Sequence, residues 1–268
     1  MSKEKEKKLE ELLAGLKKVL VAFSGGVDST YLLAVARRVL GKENVFALIA
    51  ESPTYPVEEI ENAIKMADKL DVRTIVIKTE EFFDENFVAN GRERCYYCKK
   101  ELFAKMKKLA EEKGVGTIID GSNYDDLSDY RPGNRAKEEF KALSPLQLLE
   151  FSKDEVRQLS KQAGLPTHDK PSMACLASRI PYGVRITERA LGQISAAEKY
   201  LRSLGLRQVR VRHHDIVARI EVGVDELSKI MNEETRKKII ERLEELGYCF
   251  VTLDLKGYRA GSMNENLS

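Results

Sequence analysis

Residues 18–29 read K-V-L-V-A-F-S-G-G-V-D-S. A short apolar run stops at Ser24-Gly25-Gly26, and residues 27–40 then set Leu32, Leu33, Val35, Ala36 and Val39 on or near one face at helical spacing. The same alternation recurs downstream. Residues 45–50 form a second apolar run, residues 58–70 an amphipathic helix, and residues 73–77 (RTIVI) a third strand. Residues 96–113 read as a lysine-rich helix ended by Gly114, and residues 117–120 (TIID) as a fourth strand running into Gly121. Strands alternating with helices at this spacing predict an α/β fold with a doubly wound, mostly parallel sheet. Such sheets bind ligands at the carboxyl ends of their strands.

The pattern changes after a helix expected over residues 154–162, which Gly164 and Pro166 close. From there to Tyr182 the chain has Pro171, Pro181 and little periodicity, which reads as a linker. A helix over 187–204, strands over 207–212 and 216–222, a helical region over 224–246 and a strand over 248–255 then predict a small α+β domain. The expected division is residues 1–168, a linker over 169–183 that carries Cys175, and residues 184–268. No internal repeat or low-complexity segment is present, and the Lys/Glu-rich opening reads as a solvated helix face.

Composition bounds the class. The 268 residues carry 45 Lys and Arg against 43 Asp and Glu, a net charge of +2, with 43% hydrophobic residues. That excludes the disordered class, which is poor in hydrophobic residues and strongly charged. No apolar run approaches the roughly 18 residues that a membrane span needs. Residues 1–11 lack the apolar core of a signal peptide, and four cysteines are too few for a disulfide scaffold, so a reducing cytoplasm is expected. A net charge near zero gives no global argument for nucleic acid.

The sharpest local chemistry is Ser24-Gly25-Gly26-Val27-Asp28-Ser29. Two glycines let the backbone turn tightly and approach a ligand with no Cβ in the way. The N–H groups that open the following helix have no partner within it, and the helix dipole favours an anion there. Ser24 and Ser29 add hydroxyl donors. The loop is neither G-x-x-x-x-G-K-[ST], since no lysine follows the glycines, nor G-x-G-x-x-G. A phosphate loop is the reading set against a plain glycine turn with an N-cap.

Cys95-Tyr96-Tyr97-Cys98 puts a C-x-x-C at an expected helix start, where the dipole favours a thiolate. A redox dithiol, half of a zinc site and part of an iron–sulfur site all remain open. Cys175 lies in the expected linker beside Arg179. Cys249 alternates with Val251, Leu253 and Leu255 and is expected as a small core hydrophobe.

The loop 24–29 resembles the pyrophosphate loop of the N-type ATP pyrophosphatases, which split ATP between its α- and β-phosphates and adenylate a carbonyl or carboxylate oxygen. That resemblance implies ATP and Mg²⁺, with Asp28 helping to hold the metal, and Gly121, Asn123 and Asp125 completing the nucleotide pocket. Further motifs occur in order: Arg131-Pro132-Gly133 after Asp129-Tyr130, then residues 178–183 (SRIPYG), 199–205 (KYLRSLG), 209–212 (VRVR), 218–221 (ARIE), 247–248 (GY) and 251–259 (VTLDLKGYR). Together these resemble the LarE family of ATP-dependent sulfur transferases, which serve synthesis of the nickel-pincer nucleotide cofactor.

The resemblance covers essentially the whole chain. It implies a pyridinium-3,5-biscarboxylic acid mononucleotide as substrate, one carboxylate of which is adenylated and then converted to a thiocarboxylate. In better-known members a cysteine matching Cys175 gives up its own sulfur. The added Cys95 and Cys98 make this chain resemble the branch in which three cysteines hold a 4Fe–4S cluster carrying a transferable sulfide. By the same resemblance Arg210, Arg212 and Arg259 meet the mononucleotide phosphate, and Ser178 and Arg179 orient the carboxylate or its adenylate. Glu198 and Glu221 fall near the substrate or a metal. The expected partners are a sulfide donor, the other enzymes of that cofactor's synthesis and further copies of the chain in a homo-oligomer, a hexamer by resemblance, with no membrane and no nucleic acid. The rival readings are a tRNA thiolation enzyme, an ammonia-using synthetase and a zinc-stabilised nucleotide-binding module without turnover.

Overall fold

A computed structural model describes residues 2–127, 132–171, 174–259 and 263. Of the motif residues named above, Asp129, Tyr130 and Arg131 lie outside the described residues, as do Ser172 and Met173 in the expected linker. The chain divides into two compact units. The first holds residues 1–87 and 92–173, the second residues 88–91 and 174–268.

The first unit is built on four parallel strands, β1 (Val19–Ala22), β2 (Val45–Glu51), β3 (Arg73–Lys78) and β4 (Thr117–Asp120), in the order β3-β2-β1-β4. Val19 pairs with Val45 on one side and Thr117 on the other, so β1 is interior. Its side chains divide by parity, as a strand covered on both faces requires. Val19 and Val21 join Ala47 and Ile49 in a core built with helices Val27–Leu40, Val57–Lys69 and Lys153–Gln162. Leu20 joins Phe46 and Leu48 on the opposite face, under Phe103, Met106 and Ala110 of helix Arg94–Glu112. The expected doubly wound α/β architecture is present, and its elements lie within a few residues of their expected bounds. Among the described residues no helix is long and apolar enough to cross a membrane.

In the second unit, helix Glu188–Ser203 precedes β5 (Val209–His214) and β6 (Val217–Val222). Helices Leu227–Met231 and Glu233–Glu245 follow, then β7 (Phe250–Leu253). β5 and β6 are antiparallel and β7 runs parallel to β6. The hairpin turns at Asp215, whose φ of +56° suits a tight two-residue connection, so β5 continues two residues past its expected end. The helical region breaks at Asn232, whose side-chain oxygen accepts from Glu234 N and Thr235 N and caps the following helix.

Cys249 is not a core residue; it is exposed. Both Cys249 N and Phe250 N donate to Ile216 O, and two successive donors on one carbonyl break the period-2 alternation on which the expectation rested. Tyr248 fills the core instead at 2% exposure, and Leu255 is 83% exposed.

Residues 174–183, expected as part of a linker, are packed into the second unit. Leu176–Arg179 forms a 3-10 turn with Leu176, Ala177, Arg179 and Ile180 buried. Residues 88–91 run alongside. Asn90, fully buried with φ +57°, donates from Nδ2 to Pro181 O and Val184 O, each at 2.8 Å, and Ile186 N donates to Val88 O.

Candidate active site

β1 delivers Ser24 to the carboxyl edge of the sheet, and the chain reverses into helix Val27–Leu40 through Gly25 and Gly26. Gly25 has φ +67°, and a Cβ there would lie 2.9 Å from Ala63 Cβ, so both conformation and space select glycine. Gly26 is the N-cap and no side chain caps the helix. The N–H groups of Val27, Asp28 and Ser29 thus open the helix without a side-chain acceptor, the arrangement that receives a phosphate. The hydroxyls of Ser24 and Ser29 lie 3.1 Å apart beside them.

β4 brings Gly121 against this loop. A Cβ on Gly121 would lie 2.8 Å from the backbone N and Cα of Ser29, so only glycine permits the approach. A buried network fixes that turn: Asp120 accepts from Ser144 Oγ at 2.6 Å and Ser122 Oγ at 3.0 Å, and Lys137 donates to both hydroxyls. Asn123 follows and donates to Asp28 Oδ1 at 3.3 Å. Gly121 and Asn123 therefore meet the glycine loop directly. Asp125 sits one step out, accepting from Lys153 N at 2.8 Å.

Although no lysine follows the glycines in sequence, the fold supplies two. Lys153 Nζ pairs with Asp28 Oδ2. It opens helix Lys153–Gln162, which a Ser152–Glu155 capping box holds at the sheet edge. Lys170 Nζ donates to Gly25 O at 3.1 Å and pairs with Glu59 at 2.7 Å. Sequence reasoning missed both, together with Asp120 and Lys137. The capping-box signature was the one local signal that places Lys153 at a helix start.

A pocket opens beside the loop at the ends of β1, β2 and β3. Leu48, Ile49, Ile60 and Ala63 give it apolar walls, and Ser24 and Cys98 both line it. Cys95 and Cys98 are three apart in the first turns of helix Arg94–Glu112, so they share a face, and both are half-buried. Among the described residues no group of three or more His, Cys, Asp or Glu side chains is gathered as a metal site. Cys175 belongs to the second unit.

The second unit concentrates arginines. Arg179 is fully buried. Its Nε and Nη2 donate to the two oxygens of Glu198 at 2.8 and 3.1 Å, and Nη1 to Ala174 O, Cys175 O and Ser178 Oγ. Its donors are taken up by the protein, and it fixes the backbone that carries Cys175. Glu198 also accepts from Arg202 and from Val211 N. Burial alone would raise the Glu198 carboxyl, but Arg179, then Arg202 and Arg210, hold it below the ordinary carboxylate range.

Arg210 and Arg212 sit two apart on β5 and are nearly buried. Arg210 lies over the Tyr258 ring at 5.1 Å, and burial followed by repulsion from Arg179 pushes it down to about 10. Arg212 pairs with Glu221 at 2.6 Å and donates to Ser178 O. Arg219 bridges Glu221 to Asp254, which lies 3.8 Å from Arg259. Among the described residues, the carboxylates Glu198, Glu221 and Asp254 thus lie in one network with Arg179, Arg202, Arg212, Arg219 and Arg259.

A parallel sheet whose first strand turns through Ser-Gly-Gly-Val-Asp-Ser into an uncapped helix defines an ATP-using enzyme of the pyrophosphatase-loop class, and the NAD synthase family model matches residues 3–105. The NH(3)-dependent NAD(+) synthetase of Hyperthermus butylicus is 30% identical over 57% of this chain and 56% of its own length. An uncharacterized protein of Synechocystis is 41% identical over the whole of both chains. The pyridinium-3,5-bisthiocarboxylic acid mononucleotide synthase of Lactiplantibacillus plantarum is 38% identical over 98% of this chain and 95% of its own. The chain belongs to the family of that synthase, the LarE family.

Proposed function

We propose that this enzyme uses ATP to activate a carboxylate of pyridinium-3,5-biscarboxylic acid mononucleotide and replaces the activated oxygen with sulfur. The observation that carries this reading is the cavity of the first unit, whose walls include both Ser24 of the phosphate loop and the Cys98 thiol. A carboxylate has no usable leaving group. Its oxygen attacks the α-phosphorus of ATP, the bond from that phosphorus to the bridging oxygen breaks, and pyrophosphate leaves. A sulfur nucleophile then adds to the acyl carbon, and AMP departs with the former carboxylate oxygen.

The N–H groups of Val27, Asp28 and Ser29 and the hydroxyls of Ser24 and Ser29 hold the phosphates and receive charge as pyrophosphate departs. Asp28 fits a hard cation, since its Oδ2 already takes the Lys153 ammonium. Mg²⁺ needs only one or two protein carboxylates beside phosphate oxygens and water. Gly121 lets the β4 turn close on the loop, and Asn123 orients Asp28. Arg210, Arg212 and Arg259 are assigned to the mononucleotide phosphate. Ser178, whose carbonyl and hydroxyl engage Arg212 and Arg179, lies beside them. Glu198 and Glu221 hold the arginines in place.

Cys95 and Cys98, two soft donors on one helix face, fit part of an iron–sulfur ligand set. Together with Cys175 they are assigned as ligands of a 4Fe–4S cluster. Such a cluster, when bound, supplies a sulfide on the iron that lacks a protein ligand. The same reading carries a sulfide donor, the other enzymes of nickel-pincer cofactor synthesis as partners, and a hexameric homo-oligomer, the last checked by light scattering. Anaerobic reconstitution with iron counting and electron paramagnetic resonance tests the sulfur source. The expected result is a cluster lost in the double variant C95A/C98A, with loss of multiple turnover. Unchanged multiple turnover in that variant overturns the assignment, and loss of hydrogen sulfide from Cys175 after one turnover identifies a sacrificial cysteine instead.

A further inference from the structure

The cavity beside the phosphate loop holds a carboxylate that the chemistry above does not use. Glu81, three residues past the end of β3, is 1% exposed and lines the cavity. One of its oxygens is spoken for: Ser52 Oγ donates to Oε1, and the Thr54 hydroxyl lies 2.7 Å from Ser52 Oγ. The other oxygen, Oε2, is buried with no hydrogen-bond partner among the described residues. A buried carboxylate oxygen without a donor is costly, and native proteins keep few of them. The Ser52–Thr54 relay fixes which oxygen is occupied, so the vacant acceptor is positioned rather than averaged.

We propose that Glu81 is the base-reading residue of the nucleotide site and accepts a hydrogen bond from the exocyclic 6-amino group of adenine. The inference deepens the ATP reading and rests on it. Three observations favour the base over the ribose. The walls of the cavity are apolar, with Leu48, Ile49, Ala50 and Ile60 suited to a flat ring. β3 stands two strand spacings from β1, about 10 Å across the sheet, while the ribose is bonded directly to the phosphate chain that the loop beside β1 holds. The acceptor is also purely an acceptor, which matches an amine and repels the 6-oxo group of hypoxanthine or guanine. A site built around a polar contact rejects analogues that leave its buried group unpaired.

Calorimetric binding of Mg²⁺·ATP and Mg²⁺·inosine triphosphate, with neither sulfur source nor pyridinium substrate present, tests this. Wild type is expected to prefer ATP by at least tenfold. Glu81→Gln keeps the oxygen that accepts from Ser52 and turns an amide donor toward the ring. It is expected to weaken ATP about ten- to a hundredfold while strengthening inosine triphosphate, so that the preference narrows or reverses. The variant without ligand should melt no lower than wild type, and its ATP-induced rise in Tm should shrink. Ser52→Ala, which releases the carboxylate from its fixed orientation, should narrow the preference less and serves if Glu81→Gln does not fold. An unchanged ATP to inosine triphosphate ratio in a folded variant overturns the inference, as does discrimination that collapses for 2′- or 3′-deoxy-ATP instead. Failure of wild type to bind ATP at all overturns the ATP reading with it, a separate and distinguishable result.

Discussion

Lys153 shows how much of the site depends on single side chains that arrive from far along the chain. Its ammonium pairs with Asp28 across 125 residues of sequence, and both side chains are partly exposed. A pair of that kind contributes about 1 kcal/mol or less to folding, yet in the proposed reaction it stands where charge is separated as pyrophosphate leaves. Lys153→Met is therefore expected to slow pyrophosphate release about ten- to a hundredfold while leaving Tm nearly unchanged; a rate within a factor of two of wild type would remove Lys153 from the site. Ser24, Gly25, Gly26 and Asp28 were readable because strand, turn and helix start are contiguous. Lys153, Lys170 and Glu81 were not, because no local pattern says which loop a distant side chain will reach. Cys175 was legible only as a residue type near Arg179, and the structure adds the reason for that neighbourhood: the guanidinium holds the Cys175 carbonyl.

Helix Glu188–Ser203 and strand β5 meet through Glu198, which the helix presents to Arg179, Arg202 and the Val211 amide. Breaking a buried, fully bonded pair costs about 3–5 kcal/mol, so Glu198→Gln is expected to lower the urea midpoint substantially. The pH dependence follows from the sign of the shift. Its folded carboxyl titrates below the unfolded one, whose value is about 4.3. The stabilisation it provides is fully present above that unfolded value and is lost as pH falls through the lower folded one. In Glu198→Gln the loss of stability should thus be greatest near neutrality and should shrink toward strongly acidic pH, as acid-denaturation curves would show; a constant difference would contradict it. At this scale periodicity served well for β1–β4, whose residues are buried on two faces. It failed at Cys249, where one doubled hydrogen bond at the start of an edge strand shifts the phase and exposes the thiol.

The division into two units was legible in outline from the change of element order, but its seam was not. Proline content suggested a linker over residues 169–183, whereas residues 174–183 carry buried side chains of the second unit, and four residues from the middle of the first half, 88–91, pair with them. No composition signal marks such a return, because it is specified by a handful of hydrogen bonds, among them those from the Asn90 amide to the carbonyls of residues 180, 181 and 184 and those of the Gly183 and Ile186 amides to the carbonyls of Asn90 and Val88. Asn90→Ala removes the side-chain donors and puts a β-carbon residue of poor tolerance at φ +57°. It is expected to cost about 2–4 kcal/mol, and Asn90→Gly less. Hydrogen exchange should quicken in β5–β7 and stay unchanged in β1–β4, and uniform loss of protection would show that the units do not unfold separately.

That return also sets an order of events during synthesis. Asn90 leaves the ribosome 91 residues before the carbonyl at Pro181 that it must satisfy, so the amide waits in water while the rest of the nucleotide sheet is made. A chain halted near residue 170 would already own every strand of that sheet, yet keep a stub of the other unit dangling from its middle. Truncations meant to isolate the nucleotide-binding half would carry this orphaned stretch, and a clean excision must bridge residues 87 and 92 as well as trim the end.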